Sequence, residues 1–318
     1  MTQTKSSYSR PWAIAFTCIA LVLSAWSHAG GPQWLQIESK NIQGNLTDHP
    51  LAIPVYVRSE EQKDLLNAEV YGVVDHPLAA LAKTLAIPAN WCEFGTLHPN
   101  IRACTHKRHG TEVLLTVYIG RKSLESPRHA SKLELLYQLV HLGDENFKVS
   151  LEGHDGPMGT RDHRFALEAM RVGDKTLVRV QFSYRIGFMS RLAAKAYLAT
   201  RGAGRIGFST VGVNDAGDPI YVKGTKGMIE RSVMRFYLAL LALMETRHLP
   251  ALDQIEARIN HWVSLAQRYP PQLGKLEREE YVQLKRRDWA NQLKLQSALV
   301  VGSEQGGGLS EHAVARRR

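Results

Sequence analysis

Hydrophobic and polar residues alternate through five successive segments of residues 111–187, and turn residues separate the segments. Between Thr176 and Gly187, Val178, Val180, Phe182, Tyr184 and Ile186 share one face, while Arg179, Gln181, Ser183 and Arg185 share the other. A period of two marks a half-buried strand rather than a helix. The same alternation runs through Val113, Leu115 and Val117, through Leu133, Leu135, Tyr137 and Leu139, and through Phe147, Val149 and Leu151. Phe165, Leu167 and Ala169 make the fifth segment. Links such as 143–146 and 173–175 are short, so the pattern predicts an antiparallel meander. Its long apolar face must be covered by something.

Upstream, Ala68, Val70, Gly72 and Val74 alternate weakly and predict a strand over 67–74. Asp75 is placed to cap a following helix with Pro77 in its first turn, and Leu78, Leu81, Leu85 and Ile87 form the buried side of that helix. Pro88 stops it, a second short helix over 89–94 carries Trp91, and 99–106 is a further candidate strand. Downstream, 188–200 reads as a helix with Phe188, Leu192, Ala196 and Tyr197 on one side and Arg191 and Lys195 on the other. This pattern fits either a packed helix or a lid that touches membrane. Gly202 and Gly204 break it, and 205–213 is another candidate strand. A long helix is expected over 226–247, where Ile229, Val233, Phe236, Leu240 and Met244 follow helical spacing.

The ends carry different signals. Lys5 and Arg10, the apolar run from Trp12 to Trp26, and Ser27-His28-Ala29 read as a signal peptide over 1–29, cleaved near Ala29, or as an uncleaved anchor. Cleavage would place the protein in a bacterial periplasm or outside the cell. Residues 30–63 read as an irregular arm. Leu252, Ile255, Ile259, Trp262 and Ala266 form another helical stripe, ended by Tyr269-Pro270-Pro271, and 275–296 forms a charged final helix in which Lys285-Arg286-Arg287 reads as a solvated face or as a contact for acidic lipid. Gly306-Gly307-Gly308 and Arg316-Arg317-Arg318 suggest a disordered end over 302–318.

Beyond the leader, two cysteines are left, Cys92 and Cys104, a pair that an oxidising compartment would join. With His98 and His106 nearby the alternative is a metal site, although the cysteine spacing matches no zinc pattern. The net charge of +10 permits transient contact with an anionic membrane surface, or is simply a solvated basic surface. Export argues against nucleic acid, and no basic run is interleaved with stacking aromatics.

The order of elements resembles the helix-grip superfamily, which includes START-type lipid-transfer domains and polyketide-cyclase-like proteins. The resemblance is carried by Ala68-Glu69-Val70-Tyr71-Gly72-Val73-Val74-Asp75-His76-Pro77, by Trp91 in the second helix and by the meander, over residues 64–247. It implies an α+β fold in which a curved antiparallel sheet wraps a long C-terminal helix, here followed by an added helical hairpin over 248–301. It also implies a mainly apolar cavity for a lipid or other hydrophobic small molecule. On that basis the expected ligand-binding residues are Tyr137, Phe165, Phe182, Tyr184, Phe236 and Leu240. About forty residues between Gly187 and the long helix, and the tail after it, depart from the family pattern.

No Gly-rich phosphate loop, nucleophile elbow or metalloprotease helix is present, so no cofactor, metal or catalytic residue is assigned. His154, Asp155, Asp162 and His163 form the densest cluster, readable as a metal or proton-transfer site or as an ordinary polar hairpin loop. Two other functions remain open. One is a non-catalytic envelope protein that binds a partner through its C-terminal helices; the other is an enzyme whose polar groups are scattered over the cavity wall.

Overall fold

The computed structural model describes residues 54–120 and 126–314. Eight strands form one antiparallel sheet: β1 (Val55–Gln62), β2 (Leu65–Val74), β3 (Ile101–His109), β4 (Glu112–Ile119), β5 (Ser131–Leu142), β6 (Asn146–Asp155), β7 (Arg161–Val172) and β8 (Lys175–Arg185). Their order across the sheet is β1-β2-β8-β7-β6-β5-β4-β3. β4 to β8 are the meander that the alternation predicts, each strand bonded to the next. Register aligns the inward faces: Val180 stands between Val70 and Leu167, and Leu167 opposes Val149, all four fully buried. A slip of one residue would turn this whole row outward, so burial specifies the pairing.

The helices are α1 (Leu78–Leu85), α2 (Pro88–Gly95), α3 (Phe188–Ala199), α4 (Gly224–Glu245), α5 (Ala251–Ala266), α6 (Pro270–Leu273) and α7 (Arg278–Val314). A separate two-stranded ribbon, β9 (Thr210–Val213) with β10 (Pro219–Tyr221), lies between α3 and α4 in the chain. α4 is the long helix expected from the sequence. It lies against β1, β2, β8 and α2, with Ile229, Val233, Tyr237 and Leu240 buried. A Cβ on Gly72 would sit 2.2 Å from the Tyr237 hydroxyl, so glycine there is what lets α4 seat on β2. The result is an α+β helix-grip architecture, and among the described residues no helix is long and apolar enough to cross a membrane.

The helical hairpin packs onto the domain through a seam with the edge strand β3. Trp262 of α5 stacks on Tyr281 of α7 with ring centroids 4.7 Å apart. Along α7, Lys285 Nζ donates to the carbonyls of His98 (2.8 Å) and Ile101 (2.9 Å) and to Asp288 (3.0 Å). Gln292 accepts from the Cys104 N–H (2.8 Å), and Gln296 both accepts from and donates to the His106 backbone (2.9 Å each). One helix face thus pairs backbone groups that an edge strand otherwise leaves open to a second chain. The disulfide Cys92–Cys104 ties α2 to the same strand.

Several expectations are corrected. Val55–Gln62, inside the expected irregular arm, is the edge strand β1, because Val55 and Val57 reach the core once β2 is there to pair with. Asp75 does not cap α1: Pro77 occupies the N-cap position without a side-chain bond, and Asp75 lies 3.2 Å from Lys175. Ile87 is half exposed because it precedes α2 rather than belonging to the buried side of α1. In α3 it is Ser190 and Ala194 that turn inward, while Phe188, Met189 and Leu192 are exposed. Lys285 is buried, so Lys285-Arg286-Arg287 is not one solvated face. The α7 backbone remains helical to Val314 through the glycines expected to be disordered. An already nucleated helix meets only a propagation cost there, about 1 kcal/mol per glycine relative to alanine. The expected leader over 1–29 and most of the arm lie outside the described residues.

Candidate functional site

α4 sits tightly on the β1, β2 and β8 side of the sheet, and a cavity of about 370 Å³ remains on the side of β4 to β7. Leu115, Val117, Leu133, Leu135 and Leu151 form its floor from the inward faces of β4, β5 and β6. Trp91 and Phe94 of α2 close one wall, and Ser190, Ala194 and Tyr197 of α3 close another. Met228, Ser232 and Phe236, four residues apart along α4, present one stripe of that helix to the space.

Four of the six residues expected from the sequence line this cavity: Phe165, Phe182, Tyr184 and Phe236. They form one aromatic cluster, with Phe236 5.1 Å from Phe165 and 5.8 Å from Phe182 between ring centroids, and Phe182 5.3 Å from Tyr184. Burial pushes the Tyr184 hydroxyl up to about 12, so it stays protonated. Tyr137 and Leu240 are not among the lining residues. Tyr137 donates from its hydroxyl to the Leu85 carbonyl at 3.0 Å, and Leu240 is packed into the core. Both lie on the predicted apolar faces, but where the covering elements leave no gap.

Two histidines that the sequence did not single out as cavity residues belong to the wall. His98 stacks on Phe236 with centroids 4.8 Å apart, and its Nδ1 accepts the Asn100 N–H at 3.1 Å. Burial, then the nearby Arg235, Lys285 and Arg102 charges, hold its pKa well below the usual histidine range, so the ring is neutral with its proton on Nε2. That Nε2 is buried without a partner. His163 stacks on Tyr184 (5.3 Å), and burial lowers its pKa to about 4. The Thr160 hydroxyl donates to the Pro157 carbonyl at 2.7 Å, so it accepts from His163 Nε2 at 2.9 Å, leaving Nδ1 as an unpartnered acceptor. His163 could have been found by parity, since it shares the inward series of Phe165 and Leu167; His98, in the turn between α2 and β3, carries no such signal.

The four-residue cluster separates in space. His154 and Asp162 form an exposed pair at 3.2 Å, and Asp162 also meets Arg185 at 3.2 Å, whereas His163 turns into the cavity. No metal-holding group of three such side chains occurs among the described residues. The two cysteines are joined to each other, which removes them from any site with His98 and His106.

No protein-family model and no curated protein matches the chain. Among solved structures, it is similar to the ZhuI aromatase/cyclase from Streptomyces sp. R1128 at 12% identity and TM-score 0.34, over 59% of this chain and 98% of that one. A conserved protein from Geobacillus kaustophilus matches at 9% identity and TM-score 0.34, over 57% and 95%. Norcoclaurine synthase from Thalictrum flavum matches at 11% identity and TM-score 0.32, over 45% and 89%. Likeness this slight adds nothing to what the sheet order and α4 already define.

Proposed function

We propose that this is an exported protein that holds a lipid or another hydrophobic small molecule between its sheet and α4, with transfer through the cell envelope as its role. The observation that carries this reading is the cavity of about 370 Å³ with mainly apolar walls. Its size lies in the range of ligand pockets. Moving the ligand's apolar surface out of water would drive binding at roughly 25 cal/mol per Å². The Cys92–Cys104 disulfide supports an oxidising compartment. α3, which forms part of the wall, exposes Phe188, Met189 and Leu192 beside Arg191 and Lys195. That combination suits brief contact with an anionic membrane surface during loading.

The competing readings have less support. A partner-binding protein calls for a filled core and an exposed apolar patch on 250–297. The core is not filled, and of the large apolar residues in that stretch only Leu252 and Leu293 are exposed among the described residues. A catalytic site would draw on His98 and His163, yet no carboxylate lines the cavity, and a histidine held at about 4 is a weak base.

Native mass spectrometry of the protein purified from its own envelope, followed by organic extraction, tests the proposal. The expected result is an adduct that extracts as one lipid class and is absent from a folded Phe182→Asp variant. Apoprotein that takes up none of the added envelope lipids would overturn it.

A further inference from the structure

Two buried imidazoles on the cavity wall each keep one ring nitrogen without a partner. His98 and His163 are only 6% and 7% exposed, and both line the cavity. In His98 the Asn100 N–H donates to Nδ1 at 3.1 Å, which leaves the proton on Nε2, at the far end of the side chain. In His163 the Thr160 hydroxyl, which itself donates to the Pro157 carbonyl, accepts from Nε2 at 2.9 Å and leaves Nδ1 a bare acceptor. A Cβ on Gly156 would stand 2.1 Å from that Nε2 and 2.8 Å from Cδ2, so this edge of the ring is packed on the loop and the Nδ1 edge turns away from it. The two unpartnered atoms are complementary in kind: His98 Nε2–H can only donate, and His163 Nδ1 can only accept.

Their surroundings are apolar. A run of ring contacts joins the two imidazoles, from His98 to Phe236 (4.8 Å), Phe236 to Phe182 (5.8 Å), Phe182 to Tyr184 (5.3 Å) and Tyr184 to His163 (5.3 Å). Arg164 is the one Lys or Arg among the lining residues; its side chain is half exposed and paired with Glu152 at 3.5 Å. The wall hydroxyls of Thr160, Ser190 and Ser232 donate to the carbonyls of Pro157, Gly187 and Met228. An ionised headgroup entering this space would lose its water and gain no free counter-charge, whereas a neutral molecule with one acceptor and one hydroxyl would pair both nitrogens.

We propose that the cavity selects a neutral oxygenated lipid, in which a carbonyl or ether oxygen accepts from His98 Nε2–H, a hydroxyl donates to His163 Nδ1, and the hydrocarbon lies against Phe182 and Phe236. The inference rests on the ligand-cavity reading above and narrows it, from any hydrophobic molecule to one that carries an acceptor and a donor and no charge.

Three ten-carbon probes test it: 2-hydroxyethyl decanoate, ethyl decanoate and decanoate. Each is titrated into the delipidated protein at about pH 8, where decanoate is ionised, with native mass spectrometry and thermal melting as readouts. The two esters differ by one hydroxyl, and the hydroxy ester should bind about 5-fold more tightly than ethyl decanoate. Decanoate should bind more weakly than either. His163→Phe should abolish the hydroxyl preference while leaving ethyl decanoate binding unchanged, and His163→Asn, whose Oδ1 stands near the place of Nδ1, should keep most of it. His98→Phe should weaken both esters alike; melting curves confirm that the variants are folded. Equal affinity for the two esters in the wild type, or an undiminished preference in folded His163→Phe, would overturn the proposal and leave the apolar cavity standing. Tighter binding of decanoate than of either ester would overturn it in favour of a charged ligand. Failure of all three to bind would remove the cavity reading and this inference with it.

Discussion

Two places in this molecule bury polar groups, and they treat them in opposite ways. Along the seam between α7 and β3, Lys285, Gln292 and Gln296 are bonded to backbone groups of β3 or of the turn before it. On the cavity wall, His98 Nε2 and His163 Nδ1 are equally buried and have no partner. The seam has orphans too, Thr105 Oγ1 and Asp288 Oδ1, but they lie in packed surroundings, while His98 faces a wall with open volume. An unpaired polar group in packed protein costs free energy on every visit to the native state. Beside a cavity, the same group can be satisfied when a ligand arrives, so the cost of burial is offset by occupancy. The contrast assigns a structural role to the seam and a receptive one to the cavity.

The largest expected effect breaks the seam. Replacing Cys92 and Cys104 by serine frees a loop of twelve residues and should cost on the order of 3 kcal/mol, read as a drop in the denaturation midpoint that added reductant reproduces in the wild type. Acid acts on the cavity side with comparable size. His163 has its folded pKa lowered to about 4 from 6.5, so the unfolded chain binds more protons between those values. Its contribution is complete above pH 6.5 and fades as pH falls towards 4, by up to about 3 kcal/mol. Urea melts across this window should show a shallower slope for His163→Gln; an unchanged slope would show that His163 does not carry the effect.

Smaller effects sharpen the comparison. Gln292→Ala leaves the Cys104 N–H without its partner and should destabilise by about 1–3 kcal/mol. Ser232→Ala removes a cavity-wall hydroxyl that bonds only to the Met228 carbonyl of its own helix, and the change in stability of the ligand-free protein should stay within about 1 kcal/mol. Equal losses in the two variants, measured by denaturant titration, would erase the distinction between seam and cavity.

Legibility followed the range of the interactions involved. The meander was readable because alternation is a local property: each inward residue sits two positions from the next, and Phe165, Phe182 and Tyr184 were placed on the right face by parity alone. The long helix and the cysteine pair were readable for similar reasons. Tyr137 and Leu240 carry the same pattern as the true lining residues and yet do not border the cavity. The outer face of the sheet misled in another way. Arg179, assigned to the polar side, is bonded to Glu69, which also accepts from Arg58 at 2.7 Å and from Tyr71 at 2.6 Å, and Glu69 and Tyr71 are buried. Those partners come from three strands, and no spacing along one of them announces the network.

The sequence by itself determined which segments are strands and helices, which face of each is buried, and that an apolar sheet face needs a helix to cover it. Local periodicity and the apolar free energy it encodes suffice for that. Only the tertiary structure decided where α4 lies close to the sheet and where it stands away. It also decided that His98, Tyr197 and Phe236, from three separate parts of the chain, border the same gap. Periodicity says that a side chain leaves water; how far away the opposing surface lies depends on elements distant along the chain.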